Sequence, residues 1–413
     1  MYLTDGLSVL FIFVLLLGCQ NSHPEEETEI VTKDEIVLNL LMPSIGIPGD
    51  TITLRGKNFP SLPKVNFGIH PATILESNKE KVVVIVPEKV DGNIDVTVVS
   101  DEKRSNIVIF NFQLMEKIEL ADPTIFLYNN IYYLYGTGGK GGDVDQGFLV
   151  YKSNDLRKWD GPSGTLQGFA LKKGNVFGSS GFWAPQVFLY NDEIYMAYTA
   201  DENIAIAKSN SPLGPFKQHT VLSGDTRQID PYIFIDDDGK AYIYFVKLST
   251  GNKIYVAQLN ENLSDIKKET LKLCISAETG WEDTQQINWK VAEGPTVLKN
   301  NDLYYLFYSA NHFENKDYAV GYAVSESPFG PWEKHDENPI LSRNLIGLNG
   351  TGHGDFFKDK NDNWFYVFHT HFNNSTIHPR LTGMIKGDFF KSKEMIYPEM
   401  SFKKETFQYL MVK

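Results

Sequence analysis

Three acids in this chain share one local setting. Asp122 lies in Ala121-Asp122-Pro123, Asp230 in Ile229-Asp230-Pro231, and Glu293 in Glu293-Gly294-Pro295. Each opens an alternating apolar run, followed by a short polar turn and a second run rich in Tyr and Phe. A lone acid of this kind is ordinary strand-entry chemistry, satisfied by backbone N–H groups. Three in one repeated phrase are a candidate acid–base set. Hydrolysis of a glycosidic bond needs one acid to protonate the leaving oxygen and a second carboxylate to act on water or attack directly. A third acid nearby would raise the pKa of the first.

The phrase that carries these acids occurs five times, beginning near Ala121, Trp183, Ile229, Ala292 and His353. In the first copy the turn is Asn129-Asn130, which reads as a tight hairpin between two antiparallel strands. A strand repeat of about fifty to sixty residues gives four-stranded sheets arranged as a propeller, here with five blades. The first strand of each blade lines the axis, so Asp122, Asp230 and Glu293 read as equivalent positions meeting at one mouth. A second recurring phrase (Val150 to Trp159, Ala205 to Phe216, Tyr322 to Trp332) reads as an outer strand ending in a loop, with Gly-Pro supplying the turn. Asp236-Asp237-Asp238-Gly239 reads as hairpin chemistry rather than a calcium loop. No helical periodicity of useful length interrupts the pattern.

Ahead of the propeller, residues 35–114 show short alternating runs at Thr51 to Leu54, Val65 to Phe67, Val82 to Val86 and Ile94 to Val99, which suggest a small β-sandwich. The pieces beginning at Pro43, Ile52, Pro71 and Val82 resemble the immunoglobulin-like IPT/TIG domain, for which a spacer or glycan-contacting role is implied. The expected fold is therefore all-β, a sandwich followed by a five-bladed propeller over 115–413. Residues 1–18 hold an apolar run, Leu7 to Leu17, too short for a comfortable membrane span and suited to a secretory leader. Leu16-Leu17-Gly18-Cys19 resembles a lipoprotein cleavage site. It implies lipidation of Cys19, a signal peptide over 1–18, and location in a bacterial cell envelope. An uncleaved apolar anchor is the alternative. Residues 19–34, with Glu25-Glu26-Glu27, read as a flexible acidic tether.

The net charge of -13 makes nucleic acid a poor partner, and contact with a membrane is expected only through the anchor. Aromatics are 13 % of residues, enough to fill blade cores and still leave rings to stack on sugars. Two cysteines, Cys19 and Cys274, are too few for a disulfide framework, and Cys274 reads as an inert buried thiol.

Taken together, Ala121-Asp122-Pro123, Trp183-Ala184-Pro185, Ile229-Asp230-Pro231, Glu293-Gly294-Pro295 and Gly352-His353 resemble glycoside hydrolase family 43. That resemblance implies a five-bladed propeller and an inverting hydrolase of plant glycans, with Asp122 as general base, Glu293 as general acid and Asp230 tuning and orienting the acid. It further implies Trp183 as a wall beside the innermost sugar, Arg380 as a substrate contact, and His353 near the axis. His353 would contact substrate or face a metal, often calcium, through water; a satisfied core histidine is the alternative. No cofactor is required. The retaining invertase-like propellers carry N-D-P-N, R-D-P and E-C, which this chain lacks. Within the family an α-L-arabinofuranosidase is expected, with β-xylosidase and endo-arabinanase as alternatives. A non-catalytic glycan-binding propeller is the reading from another class.

Overall fold

The structure, a computed structural model, describes residues 35–88, 92–101, 103–138, 145–222, 224–392 and 395–413. The candidate leader, Cys19 and the acidic tether lie outside the described residues. The chain separates into two compact units, divided between Gln113 and Leu114.

The first unit is a sandwich of two sheets. One orders its strands Val37–Met42, Thr51–Lys57, Lys81–Ile85 and Thr73–Ser77; the other runs Ile45–Gly46, Val108–Phe112, Asn93–Val99, Lys64–Phe67 and His70–Pro71. Alternation sets the faces. Ile52 and Leu54 on one sheet, and Val65, Phe67, Val96, Val98 and Phe110 on the other, are buried in a common core. Each such side chain stabilises the unit by about 1.5–3 kcal/mol.

The second unit is a ring of five antiparallel sheets. The axial strands are Leu120–Tyr128, Trp183–Tyr190, Gln228–Ile235, Ala292–Asn300 and Gly352–Lys358. Each touches the axial strand of the blade before and after it, and the fifth touches the first. The Asn129-Asn130 turn forms as read, both residues in the left-handed region, with Tyr128 paired to Ile131. The second recurring phrase supplies the third strand of a blade rather than the outer one. In blade two Asn203–Ser209 lies inside Lys217–Leu222, and in blade four Ala319–Ser325 lies inside Glu333–Lys334. Glu333–Lys334 is short and charged, which blunts an open sheet edge, and Lys217–Leu222 opens on the polar Lys217-Gln218-His219-Thr220, so neither shows the alternation that would reveal it.

The aromatic second strands fill the space between blades. Tyr135, Tyr244 and Tyr305 are fully buried, and their hydroxyls donate to the carbonyls of Pro212, Pro328 and Pro398, at 2.6, 2.6 and 2.7 Å. Each acceptor belongs to the following blade. Two of them sit in the Ser-Pro-x-Gly-Pro turns, so the repeated turn fastens one blade to the next. Strands from both ends of the unit close the ring. Met411–Val412 joins the edge of blade one, parallel to Trp159, and Glu116–Lys117 pairs outside it.

Candidate active site

The axial strands are all built with the same irregularity. Each shifts register after its first residues, between Ala121 and Thr124, Trp183 and Gln186, Ile229 and Tyr232, Glu293 and Thr296, and Gly352 and Gly354. The residue at the bulge is left-handed in every blade, with φ +46° at Asp122, +45° at Ala184, +56° at Asp230, +58° at Gly294 and +42° at His353. Proline follows in four of the five copies, where a missing N–H costs the ladder nothing. This alignment corrects one expectation. Glu293 is not the equivalent of Asp122 and Asp230; Gly294 is. Glu293 occupies the preceding position, shared with Ala121, Trp183, Ile229 and Gly352. The bulge turns two consecutive positions toward the mouth, so carboxylates from both still meet. Gly294 is required for a second reason: a Cβ there would lie 2.8 Å from the His353 ring.

A left-handed bulge points its N–H away from the ladder, and a buried N–H needs an acceptor. The second strand of the neighbouring blade provides it. Ala184 N–H donates to Thr137 Oγ1 (2.9 Å), Asp230 N–H to Thr199 Oγ1 (2.9 Å) and His353 N–H to Ser309 Oγ (2.8 Å). Asp122 N–H donates to His369 Nδ1 (3.2 Å) across the ring closure. His369 can accept because burial, with help from Arg380, keeps it neutral, pushing it down to about 3. In blade three the corresponding residue is Val246, which has no acceptor, and there the Asp230 carboxylate takes the N–H of Gly294 at 3.2 Å. Asp230 is thus tied to the backbone residue next to Glu293.

The three carboxyls are buried but held in different charge states. Burial alone would raise Asp122; the Arg380 guanidinium, 3.2 Å from Oδ1, outweighs it together with His353 and His369 and holds the group well below the usual carboxylate range. Thr137 donates to its other oxygen at 2.6 Å. Arg380 is itself fixed by stacking 4.6 Å above the Phe313 ring. Glu293 behaves in the opposite way. Burial pushes it up to about 7, Asp122 adds to the rise, and donated hydrogen bonds from Tyr318 (2.9 Å) and Asn252 (2.8 Å) moderate it. Asp230 is also raised well above its ordinary value, by burial first and then by Glu293 and Asp122. Asp122 is therefore the ionised group of the trio, while Glu293 and Asp230 retain protons to higher pH. The sequence reading had Asp230 as a second negative charge acting on Glu293. Its burial makes it instead a partner that competes for the same proton.

All six residues singled out in the sequence come together. Asp122, Trp183, Asp230, Glu293, His353 and Arg380 line one cavity of about 450 Å³. Trp183, Trp289 and Phe313 give it aromatic walls. Asn252, Trp289, Phe313, Tyr318 and His369 were missed: Trp289, Phe313 and Tyr318 are loop residues, Asn252 opens a third strand, and His369 lies in a second strand that looks like blade core. The calcium expectation at His353 is not met by its neighbours. Among the described residues no group of three or more His, Cys, Asp or Glu is arranged to hold a metal ion. Asp122, 3.4 Å from His353, is already neutralised by Arg380.

Below the mouth, Asp355 accepts hydrogen bonds from Thr124 (2.6 Å) and Thr296 (3.0 Å), and burial pushes it up to about 6 from 3.8. A folded-state pKa above the unfolded one contributes stability below about pH 4 that is lost as pH rises through 6. Asp355→Asn should therefore gain on the native protein by up to about 3 kcal/mol between pH 4 and pH 8. Thermal unfolding at both pH values measures this, and an equal offset at the two would contradict it.

A propeller with an ionised carboxylate and a protonated one in a single aromatic-walled cavity is the arrangement of a glycoside hydrolase. The sequence profile of glycosyl hydrolases family 43 matches residues 117–384, and that of the IPT/TIG domain matches 37–112. The chain belongs to glycosyl hydrolases family 43, whose members work by single displacement with inversion. An endo-1,4-beta-xylanase from Bacteroides thetaiotaomicron of known structure is 42 % identical, with a TM-score of 0.65, covering 72 % of this chain and 99 % of its own. A thermostable family-43 glycoside hydrolase is 34 % identical, TM-score 0.61, with 69 % and 93 % covered. A beta-D-galactofuranosidase of Aspergillus niger is 26 % identical over 299 residues, spanning 67 % of this chain and 82 % of its own length.

Proposed function

We propose that the protein hydrolyses plant-cell-wall glycans with inversion, removing α-L-arabinofuranosyl residues. The observation that carries the mechanism is the split of charge states between Asp122 and Glu293 within one cavity. Asp122, ionised against Arg380 and Thr137, takes a proton from water as that water attacks the anomeric carbon. Glu293 gives its proton to the departing oxygen. Asp230 orients the acid through its hydrogen bond to Gly294 N–H and shares its titration. Trp183 stacks on the innermost sugar, and Arg380 and His353 contact its hydroxyls. The arabinofuranosyl preference is supported by relatives named as xylosidase/arabinosidase and as arabinan-cleaving enzymes.

The test is a panel of aryl α-L-arabinofuranosides, β-D-xylosides and β-D-galactofuranosides with arabinan and xylan, and the anomer of the first product followed by NMR. The arabinofuranoside should be the fastest aryl substrate and give the inverted sugar. A faster xyloside would move the specificity to xylan, and a retained anomer would make Asp122 a nucleophile.

A further inference from the structure

Trp289 sits in the segment between blades three and four, its indole on the wall of the substrate cavity and 42 % exposed. That segment is anchored at several points. Glu282, buried, accepts from Tyr308 (2.5 Å) and Lys334 (2.8 Å). Asn311 receives Thr284 N–H and donates to the carbonyl of Trp281. Asn252 donates its own N–H to the carbonyl of Lys290 at 2.9 Å.

From this position the indole N–H donates to Asn252 Oδ1 at 2.8 Å, and Asn252 Nδ2 donates to Glu293 Oε2 at 2.8 Å. An indole nitrogen is a donor only, so the amide atom facing it must be the oxygen. The NH₂ group is then left pointing at the carboxyl. Glu293 consequently meets a fixed donor at Oε2 and, at Oε1, the hydroxyl of Tyr318, which can turn to donate or accept. The acid proton has one accommodating place, on Oε1 beside Tyr318.

We propose that Trp289 is a positioning residue for the general acid: by fixing the amide of Asn252 it keeps a donor against Glu293 and so sets the pH above which the enzyme loses its acid. This rests on Glu293 being that acid. The other titratable and charged groups around Glu293 are Tyr318 and His312 of blade four, Asp230 of blade three, Asp122 of blade one, and Arg380, His353 and His369 of blade five. Trp289→Phe changes none of them and preserves an aromatic wall. It frees the amide to turn its oxygen toward a protonated carboxyl.

The experiment is the pH profile of kcat/KM on an aryl glycoside with a poor leaving group. Trp289→Phe should move the basic limb upward by about one pH unit, whatever it does to KM. Asn252→Ala should move it upward as well, and the double variant should match Asn252→Ala, because the indole acts only through the amide. Trp289→Leu also lacks the donor and gives the same reading should the Phe variant fold poorly. A basic limb that stays in place in the Trp289 variants, with only KM changed, makes Trp289 a wall and overturns the proposal. Glu293→Gln separates the two failures: if that variant keeps the basic limb, the acid assignment itself is wrong.

Discussion

Asp122→Asn should lose about 10,000-fold in kcat, near the upper end of what a general base contributes, and lose it equally on natural glycans and on aryl glycosides with good leaving groups. The leaving group does not matter because the missing element is the base that activates water, a need common to all substrates. The amide can still accept from Thr137, so the bulge at residue 122 should survive. Two consequences follow from the charge it removes. Arg380 loses its carboxylate partner. Glu293 loses one of the causes of its raised pKa, so any residual activity should show its basic limb shifted downward. Steady-state kinetics on a matched pair of substrates, with thermal unfolding to confirm the fold, checks all three. A variant that retained a tenth of native activity on the activated substrate would remove Asp122 from the role of base.

Much of this site was legible in the sequence because propeller repeats are written in residue types. Tyr and Phe alternate where second strands face neighbouring blades, and a turn of Asn, Asp or Gly separates the paired runs. Five of the six site residues sit on a recognisable copy of the phrase; Arg380, in the connection just before Leu381–Phe390, is implied by the family resemblance alone. What the sequence hid has physical reasons. Glu293 was placed one residue off because a bulge lets two consecutive positions face the mouth, whereas a plain strand would send them to opposite sides. His369, Thr137, Thr199 and Ser309 sit in runs that read as core; only their contact with the next blade's N–H groups gives them a task. Trp289 and Asn252 come from outside the repeat, from a connecting segment and the first residue of a third strand. Nothing in spacing joins an indole at 289 to an amide at 252. The charge state of Asp230 was misread for a related reason, since pKa follows burial and burial is a property of the assembled mouth.

Glu293→Gln should separate substrates that Asp122→Asn does not. Gln can keep both hydrogen bonds, accepting from Asn252 Nδ2 and donating to Tyr318 Oη, so the cavity should hold its shape. It cannot give a proton to a departing sugar oxygen. Natural glycans and alkyl glycosides, whose leaving groups depart as strong bases unless protonated, should lose about 1,000-fold or more. An aryl glycoside with an acidic phenol, which needs little protonation, should lose only about tenfold. The basic limb of the pH profile should vanish, because the group that titrates near 7 is gone. Stability should move in a direction fixed by the same shift. Glu293 has a folded-state pKa of about 7 against 4.5 unperturbed, so its favourable contribution is present below about pH 4.5 and is lost as pH rises through 7. Glu293→Gln should accordingly unfold at a higher temperature than the native protein at pH 8 and show little advantage at pH 4.5. Equal losses on both leaving groups, or a basic limb left standing, would assign the proton to another group. Asp230, the other carboxyl that burial raises in this cavity, would be the first to test.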